Sequence, residues 1–256
     1  NYIAGTIWPP VVQHFIATSG WRATHIGIGL FCLVAMLPLT FALRRRLSIH
    51  DSEADNATDR MTEVPLSPFA LQVLLCIAGV ACCVAMSMPQ VHIVAYCGDL
   101  GYGVARGAEM LSLMLGFGIV SRIGSGFIAD RIGGVRTLLL GSVLQGVALF
   151  LYLWFDGLIS LYVISALFGL FQGGIVPSYA MIVREYFPPR EAATRVGLVL
   201  MATLIGMALG GWLSGLVFDL TGSYRAAFLN GLAWNLVNVA IMVWLLQRTR
   251  RRVAYA

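Results

Sequence analysis

Gly126-Phe127-Ile128-Ala129-Asp130-Arg131-Ile132-Gly133-Gly134-Val135-Arg136 joins two apolar stretches of the chain, residues 107–129 before it and residues 137–155 after it. Each stretch has about the 20 residues that a helix needs to cross roughly 30 Å of hydrocarbon. Asp130 and Arg131 end the first, and Gly133 and Gly134 let the chain turn tightly before the second. The segment therefore reads as two membrane helices joined by a short charged turn.

The same pattern continues outward in both directions. Apolar runs of spanning length cover residues 25–43, 69–96, 158–183, 196–220 and 226–246, making seven with the two above. An eighth, residues 2–18, is slightly short and begins at the chain end. Of 256 residues, 59% are hydrophobic and 11% charged, with a mean hydropathy of +0.82. Soluble domains carry about 25% charged residues, so the bilayer supplies the solvent that water cannot. Helices satisfy their own backbone groups there, and the expected fold is an all-α membrane bundle with eight transmembrane helices.

All 17 basic residues are arginine, and they fall unevenly. Basic residues in short loops stay on the cytoplasmic side. Thirteen arginines, from Arg44 to Arg46, Arg60, Arg131, Arg136, Arg184, Arg190, Arg195, Arg248 and Arg250 to Arg252, fall on one side of the alternating spans, and only Arg22, Arg106 and Arg225 on the other. This predicts that residues 44–68 and the C-terminus lie in the cytoplasm, with the plasma (inner) membrane as the expected location. No basic face suited to nucleic acid appears. The cysteines Cys32, Cys76, Cys82, Cys83 and Cys97 show no paired ligand spacing and read as helix-packing residues.

Residues 44–68 form the one long polar stretch, with Asp51, Glu53, Asp55, Asp59 and Glu63, and read as a linker between two bundles. A weak repeat supports that division. Phe15-Ile16-Ala17-Thr18-Ser19-Gly20-Trp21-Arg22 recurs as Phe218-Asp219-Leu220-Thr221-Gly222-Ser223-Tyr224-Arg225, each time at a short turn on the arginine-poor side. Transporters built from repeated halves carry such symmetry, although two similar turns can also arise independently. The first residue is Asn1, with no charged leader before the first apolar run, so a truncated N-terminus is expected.

Written as G-x-x-x-D-R-x-G-x-x-R, the 126–136 segment resembles the cytoplasmic loop signature of the major facilitator superfamily, found between the second and third helices of each half. The resemblance implies that Gly126, Asp130, Arg131, Gly133 and Arg136 form a gating loop. Within the superfamily, Met88-Pro89-Gln90-Val91-His92, Asp99-Leu100-Gly101, Gly5-Thr6-Ile7-Trp8-Pro9 and Phe187-Pro188-Pro189-Arg190 are similar to the branch of monocarboxylate transporters and oxalate/formate antiporters. That implies a twelve-helix protein. Residues 1–43 would be the last two helices of the first half, 44–68 the central loop, and 69–256 the second half with its tail. The monocarboxylate branch places an aspartate one turn before the arginine matching Arg122, where this chain has Gly118. The antiporter lysine has no counterpart in residues 196–220.

Two residues stand out as candidate substrate ligands. Arg122 lies eight residues before Asp130, roughly 12 Å below the helix end. Charges at that depth usually face a cavity and mark a substrate path, and guanidinium suits a carboxylate. Snorkelling to the headgroups is the alternative. His92 follows Pro89 by three residues, where a loosened helix can expose carbonyls, and its imidazole can bind a carboxylate or carry a proton. Packing on a polar neighbour is the other reading. Glu109 and Asp219 read as charges at helix boundaries. Gly169 with Gly173, Gly206 with Gly210, and Gly211 with Gly215 form small-residue seams, and Gly173, Gly174 and Pro177 can break the span at 158–183.

These features predict a secondary transporter that moves a small organic anion by alternating access, as a symporter or an antiporter. Its partners would be the anion, possible co-transported protons, the bilayer and the remaining helices of its first half. A carrier of neutral or cationic drug-like solutes and a non-transporting receptor or scaffold are the rival readings. No metal-site, nucleophile-elbow or serine-lysine motif suggests an enzyme or calls for a cofactor.

Overall fold

The structure, a computed structural model, describes residues 2–42 and 66–253. Most of the linker expected at 44–68 and the last residues of the tail lie outside the described residues. Those described form nine helices: α1 (Tyr2–Ser19), α2 (Trp21–Ala42), α3 (Pro68–Asp99), α4 (Val104–Ile132), α5 (Gly134–Trp154), α6 (Leu158–Gln172), α7 (Ile175–Tyr186), α8 (Pro189–Thr221) and α9 (Tyr224–Val253). Taking α6 and α7 as one interrupted span, seven are long and apolar enough to cross a membrane. The fold class is the expected one. The 18-residue α1, with Pro9 and Pro10 inside it, is not among the seven.

Local chemistry sets the helix ends. Ser67 caps α3, its hydroxyl accepting from the Ala70 amide at 3.2 Å, and Pro68 occupies the first turn, where its missing N–H costs nothing. Gly133 turns between α4 and α5 at φ +84°, and Gly222 ends α8 at φ +64°. The two repeated turns share one device. Thr18 Oγ1 donates to the His14 carbonyl at 3.0 Å, and Thr221 Oγ1 to the Val217 carbonyl at 2.6 Å. Glycine then supplies the left-handed residue, Gly20 in one turn and Gly222 in the other, one place apart in the aligned repeats.

Helix alternation gives the bundle two ends. At the end carrying the 126–136 turn, the Gly134 amide donates to Glu185 and Gln72 Nε2 donates to the Arg195 carbonyl. At the other, Tyr102 donates to the Asp156 carbonyl and Tyr224 to the Asp99 carboxylate.

α3 is the central helix: 61% of its most apolar window is buried, against 0% for α2. Glycines bring its neighbours close. A side chain on Gly206 or Gly210 would run into the α3 backbone at Val80 or Val84, and one on Gly169 into α4 at Met114. Two of the three expected seams are thus close crossings, α6 on α4 at Gly169 and Gly173 and α8 on α3 at Gly206 and Gly210, whereas beside Gly211 and Gly215 a side chain would meet only ordinary contact. The front helices are looser: no α1 residue is buried, and among the α2 residues whose burial is described, 21–40, Thr24 alone falls in the buried class. Behind α3, a buried polar network ties three helices: Asn238 accepts from Tyr179 at 3.1 Å and donates to the Ser142 hydroxyl at 2.7 Å, while Asn235 donates to the Ser142 carbonyl and to Gln145. Such groups need partners where no water reaches. All five cysteines are free, with Cys82, Cys83 and Cys97 buried, Cys76 half-buried and Cys32 exposed on α2.

Candidate functional site

The turn of α4 from Gly118 to Ser125 carries Arg122 between two close neighbours. On one side Ser121 and Ser125 meet the break between α6 and α7, so tightly that a side chain on Gly173 or Gly174 would collide with them. On the other side α1 passes. A Cβ on Gly118 would stand 2.6 Å from the ring of Tyr2, so the absence of a side chain at Gly118 is what admits this aromatic ring. The Ser112 hydroxyl bonds to the Thr6 carbonyl and fastens the same two helices.

Arg122 is thereby left facing open space. Its Cζ lies 5.3 Å from the Tyr2 ring centroid, a cation–π distance. Among the described residues no carboxylate forms an ion pair with it. It helps to line a cavity of about 280 Å³ together with Tyr2 and Gly5 of α1, Cys83, Met86 and Gln90 of α3, Leu115 of α4, Val176 of α7, and Thr203, Leu204 and Met207 of α8. Helices α3, α4, α7 and α8 thus surround it on one side and α1 on the other.

Polar groups besides the guanidinium are few there. The Thr203 hydroxyl is spent on the Leu200 carbonyl at 2.7 Å. Gln90 Nε2 donates to Gln172 Oε1 at 3.0 Å, joining α3 to the last residue of α6. Gln172 is fully buried, and among the described residues its own Nε2 has no hydrogen-bond partner. Neither glutamine was singled out in the sequence. The available signal was an uncharged polar residue within an apolar run.

His92 stands apart from Arg122. It is half-buried in the crossing of α3 with α8, where its Nε2 lies 3.0 Å from the Gly211 carbonyl, and it is not among the residues lining the Arg122 cavity. α3 runs unbroken through Pro89. Glu109 is likewise distant from Arg122 in function: it pairs with Arg106 at 3.1 Å and accepts from Tyr162 at the opposite end of the bundle. Asp219 is exposed near the end of α8.

In the 126–136 turn, Asp130, Arg131 and Arg136 are exposed and Gly126 has open space beside it. The Gly133 amide closes α4 on the Ala129 carbonyl at 2.8 Å. The Gly134 amide, at the start of α5, donates to Glu185 Oε1 at 2.8 Å. A carboxylate at a helix start is favourably placed against the helix dipole, and this one ties α7 to the turn. Glu185 had no local signal in the sequence, because its partner lies 51 residues away.

Comparison with known proteins agrees with this architecture. Monocarboxylate transporter 13 of Rattus norvegicus is 28% identical over 254 residues, covering 95% of this chain and 56% of the relative. Its Bos taurus namesake is 32% identical over 160 residues, 62% of this chain and 38% of that one. A hexuronate transporter of Bacillus subtilis is 28% identical over 126 residues, 48% of this chain and 30% of that one. The chain thus spans about half the length of the rat relative and less of the other two. A crystal structure of a mutant peptide transporter, POT, in complex with sulfate shares the fold at a TM-score of 0.60 and 19% identity, covering 79% of this chain and 42% of that one. Residues 1–164 and 125–255 both match the Major Facilitator Superfamily. With most of its length matched and seven spanning helices, this multi-pass membrane chain belongs to the major facilitator superfamily.

Proposed function

We propose that this chain forms the greater part of a secondary carrier for a small organic anion, with Arg122 as the carboxylate anchor. The observation that carries the reading is a guanidinium on the wall of a small cavity between helices that, among the described residues, has no ion-pair partner. An uncompensated cation in the bilayer interior costs at least about 2.5 kcal/mol on insertion scales. An arriving carboxylate relieves that cost and gains two aligned hydrogen bonds. The cavity, about 280 Å³, is just below the roughly 300–1,000 Å³ typical of drug-sized sites, which favours a small anion over a bulky solute. Relatives named monocarboxylate transporter and anion transporter support the same class.

In this reading residues 1–43 belong to the first half of a twelve-helix carrier, 44–68 to its cytoplasmic loop and 69–256 to its second half and tail, in a plasma membrane. Alternating access moves the halves around the Arg122 cavity. The turn at Gly126, Asp130, Arg131, Gly133 and Arg136 braces the cytoplasmic gate through Glu185 and α7. Sliding of α8 past α3 frees His92 to act as a second ligand or to carry a coupled proton.

Uptake into proteoliposomes tests the anchor. Arg122→Lys keeps the charge but loses the planar fork, so it should weaken transport and retain part of the anion selectivity. Arg122→Gln should abolish specific uptake. Normal anion uptake by well-expressed Arg122→Gln protein would overturn the assignment.

A further inference from the structure

Between α4 and α5, with the end of α6 behind them, runs a second cavity of about 300 Å³. It shares no lining residue with the Arg122 cavity. Gly124 and Ile128 of α4 face Leu140 and Leu144 of α5 across it, and Leu170 of α6 closes the back. Two hydroxyls in its wall are already satisfied within their own helices. Ser125 donates to the Arg122 carbonyl at 3.1 Å and Thr137 to the Gly133 carbonyl at 2.9 Å. Since α4 and α5 both have the length and apolarity of membrane spans, the groove lies in hydrocarbon and presents it an apolar wall.

The same helix faces carry charge past the end of the groove. Arg131 follows Ile128 by three residues and Gly124 by seven, and Arg136 precedes Leu140 by four. Residues so spaced share one side of a helix. Both arginines are exposed, and among the described residues neither has an ion-pair partner. The nearby carboxylates are placed otherwise: Asp130, two residues past Ile128, falls on the other side of α4, and Glu185 accepts from the Gly134 amide.

We propose that this groove binds an anionic phospholipid from the leaflet at the 126–136 end, its phosphate between Arg131 and Arg136 and one acyl chain lying between α4 and α5. Guanidinium pairs with phosphate through aligned donors. The apolar groove supplies what a soluble phosphate could not use, a seat for the chain.

The test is native mass spectrometry of the delipidated protein in mild detergent, titrated with dioleoyl phosphatidylglycerol, phosphatidylcholine and phosphatidylethanolamine. Wild-type protein should bind phosphatidylglycerol about twentyfold more tightly than either zwitterionic lipid. Arg131→Gln and Arg136→Gln should each cut that preference about fivefold. Arg248→Gln removes the same charge at the same end of the bundle and should leave the preference intact. Gly124→Phe puts a ring where the structure has open space and alters no charge, so it should weaken phosphatidylglycerol binding about threefold by displacing the chain. Melting temperatures show which variants are folded, and Arg136→Gln with Gly124→Phe decides the matter should Arg131→Gln not be. Equal binding of the three lipids, a preference for phosphatidylethanolamine, or as large a loss in Arg248→Gln would overturn the proposal. Undiminished binding to Gly124→Phe would also overturn it, because a helix of the first half or some other segment would then fill the groove. The anion-carrier reading stands under every one of these outcomes, since no residue of the Arg122 cavity is altered.

Discussion

Arg122 and His92 were singled out together as polar residues in apolar spans, yet their surroundings differ. Arg122 meets an aromatic ring and open space, whereas the His92 ring is tied by Nε2 to the Gly211 carbonyl at 3.0 Å. A ring nitrogen facing a carbonyl must carry the hydrogen, so Nε2 is the donor here. Glutamine can also donate across that gap, and alanine cannot. His92→Gln should therefore melt like the wild type in detergent, while His92→Ala should lose about 1 kcal/mol, the net worth of one hydrogen bond. Anion affinity measured on both variants separates the roles. His92 is the second ligand proposed above, so His92→Gln should lose affinity while stability is intact, and unchanged affinity in both variants would leave it a packing residue only. Depth within a span was legible from residue spacing alone. The neighbours of Arg122 and Gln90 were not, since Tyr2 and Gln172 come from helices distant in the chain and no periodicity links them.

The informative element is the span that becomes α6 and α7. Gly173, Gly174 and Pro177 marked the interruption in the sequence because glycine weakens a helix and proline removes a donor. What they could not convey is that the interruption rests on Ser121 and Ser125, beside Arg122, and that α7 ends in the Glu185 bond to Gly134. The glycines of this region are also unequal. A methyl on Gly169 would meet the Met114 backbone, which has nowhere to go, whereas Gly124 has nothing within 4 Å of the corresponding position. Overpacking of this kind costs about 1–3 kcal/mol. Gly169→Ala should lower the melting temperature by several degrees, and Gly124→Ala, which relieves helix-interior glycine, should leave it unchanged or slightly raised. Equal melting of the two variants would mean that α4 and α6 do not cross as closely as described.

Across the whole molecule, apolar length identified the spans because a helix must bury about 20 residues in hydrocarbon. It underestimated their extent. α3 and α4 run Pro68–Asp99 and Val104–Ile132, beyond the apolar runs at 69–96 and 107–129, since flanking polar turns keep helical hydrogen bonds where water begins. Arginine placement predicts the orientation, with both residues 44–68 and the C-terminus in the cytoplasm. Cysteine substitutions at Ser52 and Ala254 should react only with maleimides that reach the cytoplasm, and labelling of either by an impermeant reagent outside would invert the topology. The disposition of the native thiols makes that measurement simple. Cys82, Cys83 and Cys97 are enclosed by helices, Cys76 is half-covered, and Cys32 is exposed midway along a span, where a charged reagent has no aqueous route. The native thiols away from the Arg122 cavity are therefore dark to such probes, and Cys83, which lines that cavity, is the one to replace before a reporter thiol is read.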